Sequence, residues 1–260
     1  MPPNAALHGI AVDQLMRWNL IALLACFAAS HLWLIVAIFR KKSAVIPSAA
    51  EEPQQSGHAP QRSMPKQQRS SWSLSWFLLP ILCAMYAWMA ITAQRLWAAN
   101  RFEGASPGSM QVEVVGQQFE WYFRYPGEDA AFGVTRPQLV NAAAGNPLGL
   151  DPKDPRGNDD LVSSALVLPV GREVDLRIRS LDVIHGFFIP AMRLKQNAVP
   201  GLVLHVHFTP IAAGTYPILC SQVCGLGHAR MQAELRVVSP EAYQDWLKAR
   251  ERQHAQETAQ

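Results

Sequence analysis

The chain has 260 residues, of which 49% are hydrophobic and 17% charged, so it is more apolar and less charged than an ordinary soluble domain. Its net charge of +3 comes from the first hundred residues, which hold eight Lys and Arg against three Asp and Glu. The remaining residues are slightly acidic, which argues against a nucleic-acid-binding protein and favours a membrane protein. Four cysteines are too few for a disulfide scaffold.

Two long uncharged segments lie in the N-terminal part of the chain. Residues 18–39 would form a helix about 33 Å long at roughly 1.5 Å per residue, which is enough to cross a membrane. Residues 71–94 are uncharged as well, and Pro80 is expected to kink that helix. We therefore predict an outer segment at 1–17 and transmembrane helices at 18–39 and 71–98. Buried helices of a soluble protein, or a signal peptide for the first segment, are the alternatives.

The segment between the two predicted helices, residues 40–70, is rich in Pro, Gln, Ser and basic residues and lacks an apolar period. Such a composition predicts a flexible loop. The loop holds six basic and two acidic side chains, and the positive-inside rule therefore assigns it to the cytoplasm. Both termini then face the outer side of the membrane.

From residue 110 onward the pattern changes to short alternating runs separated by turns. Seven strands are predicted, at residues 110–115, 119–125, 165–168, 173–179, 203–208, 215–219 and 232–238. Gly, Pro, Asn and Asp crowd residues 126–160, which predicts a long ordered loop or insertion. Ser239 and Pro240 suit the start of a short polar helix within a tail at 239–260. The predicted fold class is α+β: a two-helix transmembrane hairpin followed by an all-β Greek-key sandwich at 101–238.

One loop between two predicted strands concentrates side chains that bind soft metals, at the spacing C-x3-C-x3-H-x2-M. They are Cys220, Cys224, His228 and Met231. Thiolates and imidazole with a thioether favour copper, because a thioether is a poor zinc ligand. His185 offers a second imidazole upstream, and Gly225 and Gly227 are expected to let the backbone curl round a buried ion. A Cys220–Cys224 disulfide and a structural zinc site are alternatives, but both leave Met231 unexplained.

These motifs and their order resemble subunit II of the cytochrome c oxidases in the haem-copper superfamily, whose outer cupredoxin domain holds a binuclear copper centre, CuA. The resemblance implies two copper ions bridged by two cysteines, with one histidine on each copper and two weak axial ligands. The implied ligands are Cys220 and Cys224 as bridges, His185 and His228 as terminal ligands, and Met231 and the Gln222 carbonyl as axial ligands.

The resemblance also implies a function and a place in the cell. The chain would be a subunit of a respiratory oxidase in the cell inner membrane, multi-pass, with both termini and the CuA domain on the periplasmic side. It would accept electrons from cytochrome c and pass them to haem in subunit I, where O2 is reduced. This chain would then be the electron relay and not the O2-reducing site, and its partners would be the other oxidase subunits, cytochrome c and membrane lipid.

Two further segments resemble the family less evenly. Residues 116–123 are similar to the aromatic segment near CuA that receives electrons, but the usual tryptophan is replaced by Phe119, so either Phe119 or Trp121 is implied as the receiving ring. Arg193 and Lys195 follow the ligand histidine in a loop before the next predicted strand. They either contact haem propionates of subunit I or are solvated charges.

Two acidic positions of the family are neutral in this chain. Gln222 stands where a glutamate commonly reaches a magnesium ion at the border with subunit I, and an amide is a weaker ligand for that cation, which leaves a magnesium role uncertain. Ser73 replaces a glutamate at the mouth of a proton channel, so proton uptake through this subunit is not supported. His31, His205 and His207 receive no role.

Six acidic residues in or beside the insertion either suit a basic donor by electrostatic steering or only keep the loop solvated. They are Glu128, Asp129, Asp151, Asp154, Asp159 and Asp160.

Two other functions are alternatives to a cytochrome c oxidase subunit. The CuA subunit of a nitric oxide reductase would use the same relay, and a membrane-anchored copper chaperone could present the same cysteines but would show a thioredoxin-like helix pattern instead of strands.

Overall fold

The structure is a computed structural model that describes residues 2–41 and 72–258. The predicted cytoplasmic loop at 40–70 lies almost entirely outside the described residues. The described chain forms two compact units, one of Gln14–Gln94 and the other of Met1–Asp13 together with Arg95–Gln260. The second unit carries all the strands and every predicted metal ligand.

Three α-helices are present in the described residues: α1 (Leu7–Lys41), α2 (Trp72–Arg101) and α3 (Pro240–Thr258). Helix α1 begins eleven residues before the predicted span, and its segment Leu7–Phe39 is long and apolar enough to cross a membrane. Helix α2 continues through Pro80. Helix α3 is longer than the predicted short helix, and Ser239 caps it because its Oγ accepts a hydrogen bond from the Ala242 N–H at 3.2 Å.

Within residues 2–41 and 72–258, ten strands form two five-stranded sheets. The strands are β1 (Met110–Gln117), β2 (Glu120–Tyr125), β3 (Leu161–Ser163), β4 (Leu166–Pro169), β5 (Val174–Ser180), β6 (His185–Ile189), β7 (Leu194–Ala198), β8 (Leu204–Phe208), β9 (Gly214–Cys220) and β10 (Gln232–Val238). The first sheet has the order β3-β2-β1-β5-β8 and the second has the order β4-β10-β9-β6-β7. The β1–β5 and β4–β10 pairs are parallel and the other pairs are antiparallel.

A single hydrophobic cluster draws side chains from both sheets. Val112 and Ile178 come from the first sheet, and Phe187 and Leu235 come from the second; all four are fully buried. Full burial of an aliphatic or aromatic side chain stabilises the fold by about 1.5–3 kcal/mol, so this cluster is the main reason why the two sheets stay together. The predicted metal ligands lie at the start of β6, at the end of β9 and in the loop that follows β9.

Three strands were not predicted: β3, β6 and β7. Strand β7 (Leu194–Ala198) has the sequence LKQNA, which lacks apolar alternation, and it occupies part of the predicted loop after His185. Strand β6 starts at His185 itself and pairs with β7 and β9 in the middle of its sheet. These segments become strands because pairing on the sheet satisfies their backbone groups, which a local sequence pattern does not record. The insertion at 126–160 contains three short 3-10 helices.

The extreme N-terminal segment belongs to the β unit. Ala5 and Ala6 are fully buried, and the Ala5 N–H donates to the Ala191 carbonyl at 2.8 Å. The Ile211 N–H in turn donates to the Ala5 carbonyl at 2.9 Å. The predicted outer segment at 1–17 is therefore divided between a strap on the β unit and the start of α1.

Candidate metal centre

The loop from Cys220 to Met231 connects the antiparallel strands β9 and β10. Its two ends are held together because Gln232 is paired with Leu219 and the Cys220 N–H donates to the Met231 carbonyl at 3.2 Å. Inside the loop, a short 3-10 turn at His228–Arg230 brings His228 back toward the cysteines. The predicted ligands of this loop thus start and finish at the same edge of the sheet.

The ligand atoms of the loop lie close together. Cys220 Sγ is 3.8 Å from Cys224 Sγ, and Cys224 Sγ is 3.7 Å from His228 Nδ1 and 3.8 Å from Met231 Sδ. The Gln222 carbonyl oxygen lies 3.2 Å from Cys220 Sγ, while the Gln222 side chain is exposed. Both cysteines are free thiols, so the disulfide alternative is not formed.

His185 reaches this loop from strand β6. The potential ligand atoms of His185, Cys220 and Cys224 all lie within 4.8 Å of one another. The sheet register produces this proximity, since Phe187 of β6 is paired with Cys220 of β9 and the Ser221 N–H donates to the Gly186 carbonyl at 2.8 Å. Five of the six predicted ligand groups therefore come from one loop, and the sixth comes from its neighbouring strand.

The hydrogen bonds of His185 indicate which nitrogen would bind a metal. Its Nε2 lies 2.8 Å from Asp182 Oδ1, and because a carboxylate accepts, Nε2 carries the proton. Its Nδ1 is buried and has no hydrogen-bond partner among the described residues. A buried nitrogen without a hydrogen-bond partner destabilises the fold unless a bound ligand or water occupies it. The free lone pair of Nδ1 beside two thiols fits a metal ion, and the Asp182 bond is the usual support behind such a ligand.

The site is largely shielded from water. Met231 and His185 are fully buried, Cys224 is 6% exposed, and Cys220 and His228 are half-buried. Burial and the neighbouring Cys220 raise the pKa of the Cys224 thiol to about 11, because a thiolate is poorly solvated there. A bound metal cation stabilises that thiolate, so the site suits a metal better than a free thiolate pair.

Gly225 and Gly227 leave space for an aromatic ring against the ligand loop. Both lie under the ring of Phe119: a Cβ on Gly225 would stand 3.1 Å from the ring and 2.8 Å from Gln118 Nε2, and a Cβ on Gly227 would overlap the ring. Gly225 also has φ +141°, which other residues rarely adopt. The glycines thus make room for Phe119 on the ligand loop.

The two candidate receiving rings occupy different environments. Phe119 is half-buried and lies over the ligand loop. Trp121 is 2% exposed and meets the ring of His185 edge to face, with ring centroids 5.8 Å apart. A path from solvent through Phe119 and a path through the core past Trp121 therefore both end at the predicted ligands, but only Phe119 borders solvent.

Arg193 and Lys195 differ in how far they are engaged. The Arg193 guanidinium donates to both oxygens of Asp13, at 2.8 and 2.9 Å, and to the carbonyls of Pro190 and Pro2. The Asp13 carboxylate raises the pKa of Arg193 further above its ordinary value. The side chain of Lys195 is exposed, and its carbonyl accepts from Arg101 at 2.6 Å. Arg193 thus fastens the N-terminal strap, and Lys195 stays accessible.

Two residues of the site were missed in the sequence. Asp182 supports His185, and Gln118 donates through its side-chain Nε2 to the Cys224 carbonyl at 2.6 Å. Neither is a soft-metal ligand, so a search for ligand types passes over both. Asp182 could have been found, since it stands only three residues before His185 at the end of a strand.

Three comparisons with known proteins bear on the site. Residues 110–238 match the family model described as cytochrome c oxidase subunit II, periplasmic domain. The chain is 38% identical over 160 residues to an alternative cytochrome c oxidase subunit 2 of Bradyrhizobium diazoefficiens, covering 61% of this chain and 57% of that protein. It is 29% identical over 184 residues to cytochrome c oxidase subunit 2 of Cereibacter sphaeroides, covering 67% and 59%.

Among solved structures, the periplasmic domain of subunit II of the cytochrome oxidase of Bradyrhizobium japonicum is 25% identical. The match covers 58% of the present chain and 99% of the solved domain, with a TM-score of 0.43. The chain spans less than two thirds of the length of the two curated relatives above.

Proposed function

Because the chain belongs to the cytochrome c oxidase subunit II family through its domain at 110–238, we propose that it is the electron-accepting subunit of a terminal oxidase. In this proposal cytochrome c is the donor, and haem in subunit I, where O2 is reduced, is the acceptor. The convergence of two thiols, a thioether and an unpartnered imidazole nitrogen on one point is the observation that carries the proposal.

We assign the metal as two copper ions. Cys220 and Cys224 would hold the ions through their thiolates, and His185 and His228 through their Nδ1 atoms. Met231 Sδ and the Gln222 carbonyl oxygen would complete the set of ligands. The mixture of sulfur and imidazole favours copper over zinc. When bound, a binuclear copper centre supplies a group that accepts and releases a single electron.

The chain's own residues hold that group in a nearly fixed cage. Strand pairing fixes the backbone of Cys220 next to that of Phe187, two residues beyond His185. Burial of Cys224 and Met231 keeps water from the sulfur atoms. A rigid, dry cage changes little between oxidation states, which suits rapid electron transfer and needs no open position for a substrate.

The surface around the cage suits a protein partner. Val223 and Leu226, at the tip of the ligand loop, are exposed apolar side chains that a partner would cover. Phe119, whose ring lies over Gly225 and Gly227 of the same loop, is our proposed receiving ring, with Trp121 as a second ring in the core. Lys195 is accessible for a contact with subunit I, whereas Arg193 is engaged within the chain. The exposed amide of Gln222 gives no support for magnesium.

Fewer acidic side chains are exposed in and beside the insertion than the sequence indicates. Asp151, Asp154 and Asp160 are bound to Arg136, Arg156 and Arg124, and Asp151 and Asp160 are buried. Glu128 and Asp129 are exposed at the start of the insertion. We therefore restrict the proposed steering of a basic cytochrome to this pair and its surroundings.

For the topology we propose a two-span hairpin in the inner membrane, with both termini and the metal domain in the periplasm, and a Greek-key arrangement of the strands. The N-terminal strap supports this proposal, since Ala5 and Leu7 are hydrogen-bonded to the β unit through Ala191 and Thr209. The N-terminus and the metal domain must then lie on the same side of the membrane. An apolar α1 and a basic loop at 40–70 agree with that topology.

The test is copper reconstitution of the full chain in detergent. The full chain is needed because Ala5 and Ala6 are part of the β core. A purple form whose EPR spectrum shows one unpaired electron shared by two equivalent coppers supports the proposal. A colourless zinc form or a single-copper spectrum would refute it. Turnover of O2 rather than nitric oxide by the assembled complex then identifies the terminal reaction.

A further inference from the structure

The turn between β1 and β2 contacts both segments that carry the predicted ligands. The Gln118 main-chain N–H donates to Asp182 Oδ2 at 2.7 Å. The Gln118 side-chain Nε2 donates to the Cys224 carbonyl at 2.6 Å. One residue, 64 positions from the first partner and 106 from the second, is thus bonded to the turn before His185 and to the Cys220–Met231 loop.

The first bond acts on the His185 ring through Asp182. The two carboxylate oxygens of Asp182 divide their partners: Oδ2 accepts from Gln118, and Oδ1 accepts from His185 Nε2 at 2.8 Å and from the Val183 N–H at 2.6 Å. With both oxygens engaged, the carboxylate cannot rotate without breaking one of these bonds. The ring is therefore held with Nδ1 directed toward the thiols.

The second bond acts on the cysteine loop. The Cys224 carbonyl accepts from the Gln118 amide, and the Sγ of the same cysteine lies 3.8 Å from Cys220 Sγ. The contact requires glycine at position 225, since a Cβ there would stand 2.8 Å from Gln118 Nε2. The glycine at position 225 therefore leaves space for the Gln118 side chain, and the carbonyl of the residue before it accepts the Gln118 hydrogen bond.

We propose that Gln118 is a positioning residue that fixes the two ligand segments relative to each other. This inference rests on the proposed copper function. Gln118 is not a ligand, because its amide is directed at a carbonyl oxygen and its N–H at a carboxylate. It acts through Asp182 on His185 and through the backbone of Cys224 on the thiol pair, so its loss changes the shape of the cage and not its composition.

The experiment uses the copper-loaded full chain in detergent and compares Gln118→Leu with wild type. The control is Gln117→Leu, a change of the same size in the neighbouring residue of β1. Loss of support behind a metal ligand typically weakens metal binding about 10–100-fold, so Gln118→Leu should lose copper to a Cu(I) chelator more readily by that factor. Its copper hyperfine splitting and visible bands should shift, while Gln117→Leu stays as wild type.

A second pair of variants separates positioning from general folding. Gln118→Glu keeps the side-chain length but directs a carboxylate at the Cys224 carbonyl, so it should weaken copper binding at least as much. Asp182→Asn weakens the link from Gln118 to His185, whereas Gln118→Leu removes the side-chain bond to the Cys224 carbonyl and leaves the main-chain bond to Asp182 in place. If the turn acts as one unit, Asp182→Asn combined with Gln118→Leu weakens copper binding by less than the product of the single effects.

The outcomes separate this inference from the proposed function. Wild-type copper retention and an unchanged spectrum in Gln118→Leu and Gln118→Glu would overturn the positioning role alone. Effects of Gln118→Leu and Asp182→Asn that multiply fully would also overturn it, since the two contacts would then be independent. A wild-type chain that takes up no copper would overturn the proposed function and this inference together. Equal thermal unfolding of the copper-free variants excludes a loss of fold as the cause.

Discussion

Replacement of Arg124 by Met should lower the free energy of unfolding of the protein by about 3 kcal/mol. Arg124 is 1% exposed and joins the insertion to the first sheet, since its Nε donates to Asp160 Oδ2 at 3.0 Å and its Nη1 donates to Glu113 Oε2 at 3.1 Å. Removal of one partner of a buried ion pair typically costs 3–5 kcal/mol, because the other charge stays buried without compensation.

The structure places the expected cost at the lower end of that range. Glu113 keeps a second partner in Arg179, whose Nε lies 3.0 Å from Glu113 Oε1, and Asp160 keeps the Gly133 N–H at 2.9 Å. Asp160 is therefore the main unpaired charge in the variant. Burial raises the pKa of Asp160 even in the wild type, although Arg124 counteracts the shift. As the pH falls and Asp160 becomes protonated, the difference in unfolding free energy between the variant and the wild type should therefore decrease.

The assay is thermal unfolding of the full chain in detergent, with Arg156→Met as the matched control. Arg156 forms a pair with Asp154 but its side chain is 57% exposed, so its loss should cost about 0–1 kcal/mol. For a unit of this size about 3 kcal/mol corresponds to a fall in Tm of roughly 6–12 °C. A Tm for Arg124→Met within about 2 °C of the control would refute the assignment of a stabilising buried pair.

Three further predictions concern the metal site and the loop that forms it. Met231→Leu should change stability by less than about 1.5 kcal/mol, because the volumes are similar, yet shift the visible spectrum of the copper form. Gly227→Ala should destabilise the chain by about 1–3 kcal/mol in urea unfolding, since the new methyl group overlaps the Phe119 ring, and Phe119→Ala should remove most of that cost. In the copper-free chain, alkylation of Cys224 should be slow at neutral pH and accelerate toward pH 11, as mass spectrometry can follow, because the thiol is protonated below its raised pKa of about 11.

Strand β10 could be predicted from sequence because one of its faces is more buried than the other. In β10 the alternation of Gln232, Glu234 and Arg236 with apolar residues is a local signal, and the structure shows a strand there. Strands β6 and β7 give no such signal. Strand β6 is buried at four of its five positions, and β7 follows Arg193, which has φ +51°. Strand β7 pairs with β6, which precedes it directly in the chain, and β6 also pairs with the distant β9, so backbone pairing and not side-chain alternation makes these two strands.

The ligand types were equally visible in the sequence, but only part of their support was. Cysteine, histidine and methionine at short spacing indicate a soft-metal site because few other functions need that combination. Gln118 has an ordinary side chain whose role depends on segments 64 and 106 residues away, whereas Asp182 stands only three residues before the histidine that it supports. The glycines illustrate the same limit: the sequence indicated that Gly225 and Gly227 needed space, but not that Phe119 occupies it.

The geometry of the cage therefore follows from the sheet more than from the loop. His185 and Cys220 belong to strands that are hydrogen-bonded neighbours, and their separation is set by the pairing of Phe187 with Cys220. A slip of one residue in that register would turn His185 to the opposite face of the sheet and remove Nδ1 from the thiols. The β1–β2 turn adds a third fixed point through Gln118. Three fixed points leave the ligand atoms little freedom to move, which is the property that an electron relay requires and that a chaperone releasing its copper would have to avoid.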